Sequence, residues 1–190
     1  MDENLRAYMR LVEKRSCEHN QAFGLLYAQG LYGACAAIIR LEIDNLMRVD
    51  YLAFSVPLTD RDGLCRNVLT GARWQRLSAK GKFTDIRDVE FHTYANDNHS
   101  WVSLAYGFSS KFIHLTNFWA YGISEPLATM SADERSEIVS YLRSYHGFTG
   151  HDLHMDDLFK LLPQVFEKIR SNVECYVEQK DGLLLHPLSL

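Results

Sequence analysis

Apolar residues recur at helical spacing along most of this chain. Leu5, Tyr8, Met9, Val12, Ser16, Asn20 and Phe23 follow a 3.6-residue period, and Asp2 and Glu3 suit the positive end of a helix, so a first helix is predicted over about 3–28, with a break at Gly30. A second helix is predicted over about 31–55. Its first third (Leu31, Tyr32, Ala34, Cys35, Ala36, Ala37, Ile38, Ile39) is apolar all round, the mark of a buried, central helix. Arg40, Asp44 and Arg48 then recur at i, i+4 and i+8 with Asn45 beside them, a group read as structural because charges entering an apolar helix pair with one another or with a neighbouring helix.

The pattern weakens between residues 56 and 83. Pro57, Gly63, Gly71 and Gly81 predict loops around a short helix near 60–70. Thr84 is placed as the cap of a helix from Asp85 to about Ala95, and Asn96-Asp97-Asn98 ends it and caps the next. Over 99–118, Trp101, Leu104, Ala105, Phe108, Phe112, Leu115 and Phe118 form an apolar face, with Ser103, Gly107, Ser110, Lys111, His114 and Asn117 as a narrow polar stripe. Ser131 and Glu134 have the spacing of a capping box, which predicts a helix over 132–146 ended by Gly147 and Gly150. The last helix starts at Asp156 or Asp157 with Leu158, Leu162, Val165, Ile169 and Val173 inward, and Pro163 near its first turns as a source of bending. An apolar tail runs from Leu183 to Leu190. With no repeat, low-complexity segment or linker, the expectation is one all-α domain over residues 1–190, a helical bundle of five to seven helices.

Composition narrows the function classes. A chain of 190 residues can bury enough surface to fold without a disulfide or metal. Net charge of −4 argues against a large basic face that grips duplex nucleic acid, while leaving room for a small local basic site. Cys17, Cys35, Cys65 and Cys175 form no CxxC pair and read as reduced, mostly buried thiols. The N-terminus lacks the features of a signal peptide and the longest apolar run is too short for a bilayer, so a cytoplasmic protein without a membrane partner is expected.

Three segments hold residues that can carry chemistry. In Arg87-Asp-Val-Glu-Phe-His92 the arginine can hold a phosphate and the histidine can move a proton near neutral pH, although five residues along a regular helix set the two roughly 140° apart. They could share a site at a groove edge, a helix end or a dimer interface. Ser110, Lys111 and His114 lie on one face at i, i+1 and i+4, where a hydroxyl, an amine and an imidazole suit a phosphate; a solvent-facing helix edge has the same pattern. His146, His151 and His154 stand near Asp152, Asp156 and Asp157, but their spacing matches no metal motif and the acids serve equally as helix caps, so no metal and no cofactor are expected. Gly-rich phosphate loops, nucleophile elbows and dinucleotide fingerprints are absent from the sequence.

Gly33-Ala-Cys-Ala-Ala-Ile-Ile-Arg40-Leu-Glu42-Ile-Asp44 resembles the second helix of HEPN-like proteins, with a small-residue run followed by Arg and an acid. Ser109-Ser-Lys-Phe-Ile-His114 resembles a segment of their later helix, and Asp152 to Pro163 is similar to the start of their closing helix; together these cover well under half of the chain. The resemblance implies an all-α bundle, often a homodimer, associated with prokaryotic toxin, antitoxin and antiviral systems. Active members are metal-independent RNA endonucleases with an Arg followed, four to six residues later, by His. Arg87 to His92 fits that pattern, yet His114 stands where the later-helix similarity puts the key imidazole, and no Arg precedes it at that spacing. Two readings result: an RNA endonuclease using Arg87 and His92, with Ser110, Lys111 and His114 as RNA contacts, or a non-catalytic relative that dimerises or binds a protein partner.

Overall fold

Residues 3–77 and 81–178 are described by the structure, a computed structural model. Among them it is an all-α bundle of seven helices with one small hairpin: α1 (Glu3–Ala28), α2 (Tyr32–Phe54), α3 (Leu58–Leu69), strands β1 (Gln75–Leu77) and β2 (Phe83–Asp85), α4 (Asp88–Asn98), α5 (Val102–Ile113), α6 (Ala132–His146) and α7 (Met155–Glu178). No helix among the described residues is long and apolar enough to cross a membrane.

The all-round apolar helix is central, as its composition requires. α2 packs against α1, α4, α5 and α7, and its Ile39, Ile43, Leu46, Met47 and Val49 are almost wholly buried. Aromatic stacking ties the outer helices to this axis and to each other. Phe23 of α1 stacks on Phe166 of α7 at 4.4 Å between centroids, and Tyr32 of α2 stacks on Phe159 of α7 at 4.7 Å. Burial of such rings is worth more than their number suggests, because each covers a large apolar area.

Helix ends follow local chemistry. Gly30, at φ +70°, lets the chain leave α1 in the left-handed conformation that side chains avoid. At α6, Ser131 Oγ accepts from the Glu134 N–H at 3.2 Å, while the Glu134 carboxylate accepts from the Ser131 N–H at 3.1 Å. The predicted start of the last helix also holds, with an addition: Asp157 accepts from the His154 N–H, and Glu125, thirty residues upstream, accepts from the Met155 N–H at 3.1 Å.

Two segments differ from their periodicity. Thr84 does not cap a helix; it lies in β2, which pairs antiparallel with β1 in the register Gln75↔Asp85, Arg76↔Thr84, Leu77↔Phe83. Arg87 is the N-cap of α4 instead. The predicted 99–118 helix stops at Ile113, because Thr116 donates to the Lys111 carbonyl at 2.8 Å and accepts from the Phe118 N–H at 3.2 Å, turning the chain into a 3₁₀ turn over Asn117–Ala120. Leu115, placed inside by the pattern, is therefore 95% exposed. Of the cysteines, Cys35 and Cys65 are buried, but Cys17 and Cys175 are exposed; all four are free thiols. Residues 183–190, the apolar tail, lie outside the described residues.

Candidate functional site

α4 crosses α2 and continues through a short loop into α5, which packs along α2. Asn96 helps fix this corner by accepting from the Ser103 N–H at 3.3 Å; the N-cap of α5 itself is Trp101, and of the Asn-Asp-Asn run only Asn96 is seen to bond the next helix. The crossing turns His92 toward α5, where its Nε2 lies 3.3 Å from Ser103 Oγ and its ring packs on Tyr106 with centroids 4.5 Å apart. From α2, Arg40 lays its guanidinium over the same Tyr106 ring, 3.8 Å from the centroid.

Arg40, His92, Ser103 and Tyr106 are all half-buried. The two other arginines that matter on this side are neutralised. Arg48 bonds Asp44 at 3.1 Å and Asp88 at 3.3 Å, and Arg15 of α1 bonds the same Asp44 at 2.9 Å and Asn45 at 3.0 Å. Burial opposes the charge of Asp44, yet these two arginines outweigh it and hold its carboxyl below the ordinary range. Asp44 is thus turned toward α1 rather than back toward Arg40, and among the described residues no carboxylate pairs with Arg40. Its partner is the negative face of an aromatic ring, which orients the cation without cancelling it. Burial, and then the charge of Arg40, hold the His92 imidazole below its ordinary pKa, so it is neutral near pH 7. An uncompensated cation next to a neutral base suits an oxyanion whose neighbour must lose a proton.

Arg87 does not share this site. It is exposed at the start of α4, where its N–H donates to Glu90 and its side chain lines a groove beside the β-hairpin. Ser110, Lys111 and His114 do not form one cluster either. Lys111 lies over the Phe118 ring and 4.0 Å from Glu134, while His114 is the exposed residue at which α5 ends. In the third segment His146 meets Gln164 at 3.2 Å and His154 meets Glu125 at 3.3 Å; among the described residues no three His, Cys, Asp or Glu side chains gather as a metal site.

Two further polar clusters escaped the sequence reading. Between α1 and α2, wholly buried Glu42 accepts from Ser16 at 2.6 Å and from Asn45 at 3.0 Å, and faces His19 Nδ1 at 2.6 Å. It contains Ser, His and Glu, but Ser16 and His19 both address the carboxylate rather than each other, so it has no activated nucleophile. At the far end of α2, wholly buried Asp50 accepts from Tyr176 of α7 and lies 3.3 Å from His99 Nε2. The hint of either cluster in the sequence is an acid in a helix whose apolar first third marks it as buried.

No family model, curated protein or solved structure matches this chain.

Proposed function

We propose that this protein cleaves RNA without a metal, in the manner implied by its HEPN resemblance, and that Arg40 rather than Arg87 is the partner of His92. One observation carries the reading: an arginine with no carboxylate partner among the described residues and a neutral histidine are packed on one tyrosine ring. His92 takes the proton of a ribose 2′-hydroxyl as that oxygen bonds to the adjacent phosphorus. The bond from phosphorus to the 5′-oxygen breaks, the leaving oxygen takes a proton, and the product carries a 2′,3′-cyclic phosphate. Arg40 balances the charge that gathers on the phosphoryl oxygens. Ser103 positions the imidazole.

The test is cleavage of a labelled RNA in EDTA. At saturating RNA, His92→Ala should lose roughly 10²- to 10⁴-fold in rate and Arg40→Ala a comparable factor, whereas any loss in Arg87→Ala should appear in KM and not in the saturated rate. DNA should be inert, since it lacks the attacking hydroxyl. Loss of cleavage in Arg87→Ala with Arg40→Ala intact would return the site to the original spacing motif, and absence of all RNA cleavage would end the enzymatic reading.

A second reading, a non-catalytic module that forms a homodimer, is favoured by one end of the bundle. Trp119 packs at Gly33, and around this junction Leu25, Leu31, Ile113, Leu115 and Ile123 are exposed, Leu115 and Ile123 by more than 90%. Exposed apolar residues gathered near one end of a bundle suit an association surface. Light scattering of the parent and of Leu115→Lys, Ile123→Lys tests it: a dimer that dissociates in the variant supports the module, and a monomeric parent rejects it.

A further inference from the structure

The acidic balance of the whole chain conceals a reversed segment. Residues 63–84 contain Arg66, Arg73, Arg76, Lys80 and Lys82 and no Asp or Glu, in a protein with 24 acidic and 20 basic residues. This segment is the end of α3 and most of the β-hairpin, the one β element among the described residues. Between the hairpin and the start of α4 lies a groove of about 1080 Å³. Four arginines line it: Arg48, Arg73, Arg76 and Arg87.

The charges of the groove are arranged unevenly. Each acid in it is engaged by one arginine: Asp85 by Arg73 at 3.1 Å, Glu90 by Arg76 at 2.5 Å and Asp88 by Arg48 at 3.3 Å. Arg87 is the surplus, exposed and with no carboxylate on its guanidinium among the described residues. The paired arginines are held in place by their acids, and a guanidinium has five N–H donors, so engagement by one carboxylate leaves donors for a phosphate. At the edge of the groove stands Phe83, 71% exposed on β2. A second cleft of about 780 Å³ adjoins the groove at Phe83 and brings a further cation, Arg66, together with one acid, Asp60. Phe83, Arg76 and Ile86 belong to both clefts. An exposed phenyl ring shared by two arginine-lined clefts suits a single nucleic-acid strand, in which a base is flanked by two phosphates.

We infer that the β-hairpin is a binding surface for single-stranded nucleic acid, with one base stacked on Phe83 and the flanking phosphates held by Arg87 and Arg73 on one side and Arg66 on the other. A duplex is the wrong shape, because its bases are already stacked and Phe83 has none to meet. That the strand is RNA rests on the function proposed above; the groove lies apart from Arg40 and His92 and holds the strand rather than cutting it.

Fluorescence anisotropy of a labelled twelve-nucleotide oligouridine tests this in a His92→Ala background, so that cleavage plays no part. Phe83→Ala should weaken binding roughly 5- to 100-fold, and Phe83→Tyr, which keeps the ring, should restore it. Arg87→Glu should weaken it at least tenfold. Arg66→Ala, Arg73→Ala, Arg87→Ala together should flatten the dependence of log affinity on log salt by about 2, three phosphate contacts at about 0.7 each. All these side chains are exposed, and among the described residues only Arg73 bonds a carboxylate; unchanged circular dichroism of the variants excludes unfolding. Phe83→Ala binding as tightly as the parent, or a duplex of the same length binding more tightly than the single strand, overturns the inference. Polyglutamate displacing the strand equally from parent and Phe83→Ala also overturns it, in favour of an acidic protein partner. Binding without any cleavage by the parent refutes only the Arg40–His92 site, and cleavage without this binding refutes only the groove.

Discussion

Glu42 offers the sharpest test of how this bundle is held together. Its carboxylate has no solvent contact and is met by three side chains: Ser16 at 2.6 Å, His19 at 2.6 Å and Asn45 at 3.0 Å. Replacing it with alanine removes the acceptor of all three and opens a cavity between α1 and α2. Hydrogen bonds to a charged group are worth about 1.5–3 kcal/mol each, and removing one member of a buried charged network typically costs about 3–5 kcal/mol, since the groups left behind stay dry and unpaired. For a domain of this size each kcal/mol lowers Tm by about 2–4 °C. Glu42→Ala should therefore melt roughly 6–20 °C below the parent. Glu42→Gln keeps the shape but sets an amide NH₂ against one of the donors, and should fall between. A triple replacement, Ser16→Ala, His19→Leu, Glu42→Leu, removes the acceptor with two of its three partners, leaves only the Asn45 amide unpaired, and should recover part of the loss, because an apolar substitute for a buried charged cluster is often neutral. Urea denaturation followed by circular dichroism at pH 7 gives the three free energies. If Glu42→Ala lies within 0.5 kcal/mol of the parent, about the effect of an ordinary surface substitution, the network does not hold α1 to α2 and the reasoning fails.

Three other outcomes are expected. Ile39→Asp puts an unpaired charge into the fully packed face of α2 and should cost about 3 kcal/mol or more, read as loss of soluble, helical protein; an unchanged Tm refutes the central place of α2. Arg61, buried beside the end of α2, donates to the carbonyls of Ala53 and Val56 at 2.5 and 3.0 Å, so Arg61→Met should lose about 2–4 kcal/mol and Arg61→Lys should not restore it, since an ammonium cannot span both acceptors. Because His92 resists protonation in the folded state, the unfolded chain takes up that proton first as pH falls below about 6.5, so stability falls across that window and the fall is smaller in His92→Gln; cleavage should likewise persist to a pH below the ordinary imidazole range, and an acid limit above 6.5 contradicts the assigned base.

The legibility of the sequence varied with the range of the forces involved. α1, α2 and α6 were placed to within a residue or so, because apolar period, a glycine break and a capping box are local. The hairpin was invisible: its strands have three residues each, too few for an alternating pattern, and Arg, Gln and Thr in them suggest a loop. The end of α5 was missed because Leu115 and Phe118 continue the apolar period while Thr116 breaks the backbone with its side chain. His92 was recognised by type, but its neighbour was sought along the helix. The arginine beside it comes from α2, 52 residues upstream, delivered by the crossing of two helices and a shared tyrosine. The i, i+4 spacing pairs Arg40 with Asp44, but Arg48 and, from a different helix, Arg15 engage that carboxylate instead.

The placement of α2 has a consequence for synthesis. α1, which packs on it, and α3, which packs on α1, leave the ribosome near it in time, but α7, which covers another of its faces, is the last described helix to be made. Tyr176, which donates to buried Asp50, is separated from it by 126 residues. At about 5–20 residues per second, the nascent chain holds an uncovered strip of Ile, Leu and Val for roughly ten seconds before α7 can close over it. The α1–α2–α3 unit can form early from contacts nearby in sequence, whereas docking of α7 closes a loop of more than a hundred residues and comes late. That interval is when a chaperone would bind and when neighbouring nascent chains would aggregate, and a stop codon placed before Met155 should yield an insoluble fragment even though every residue of the proposed active site would be present.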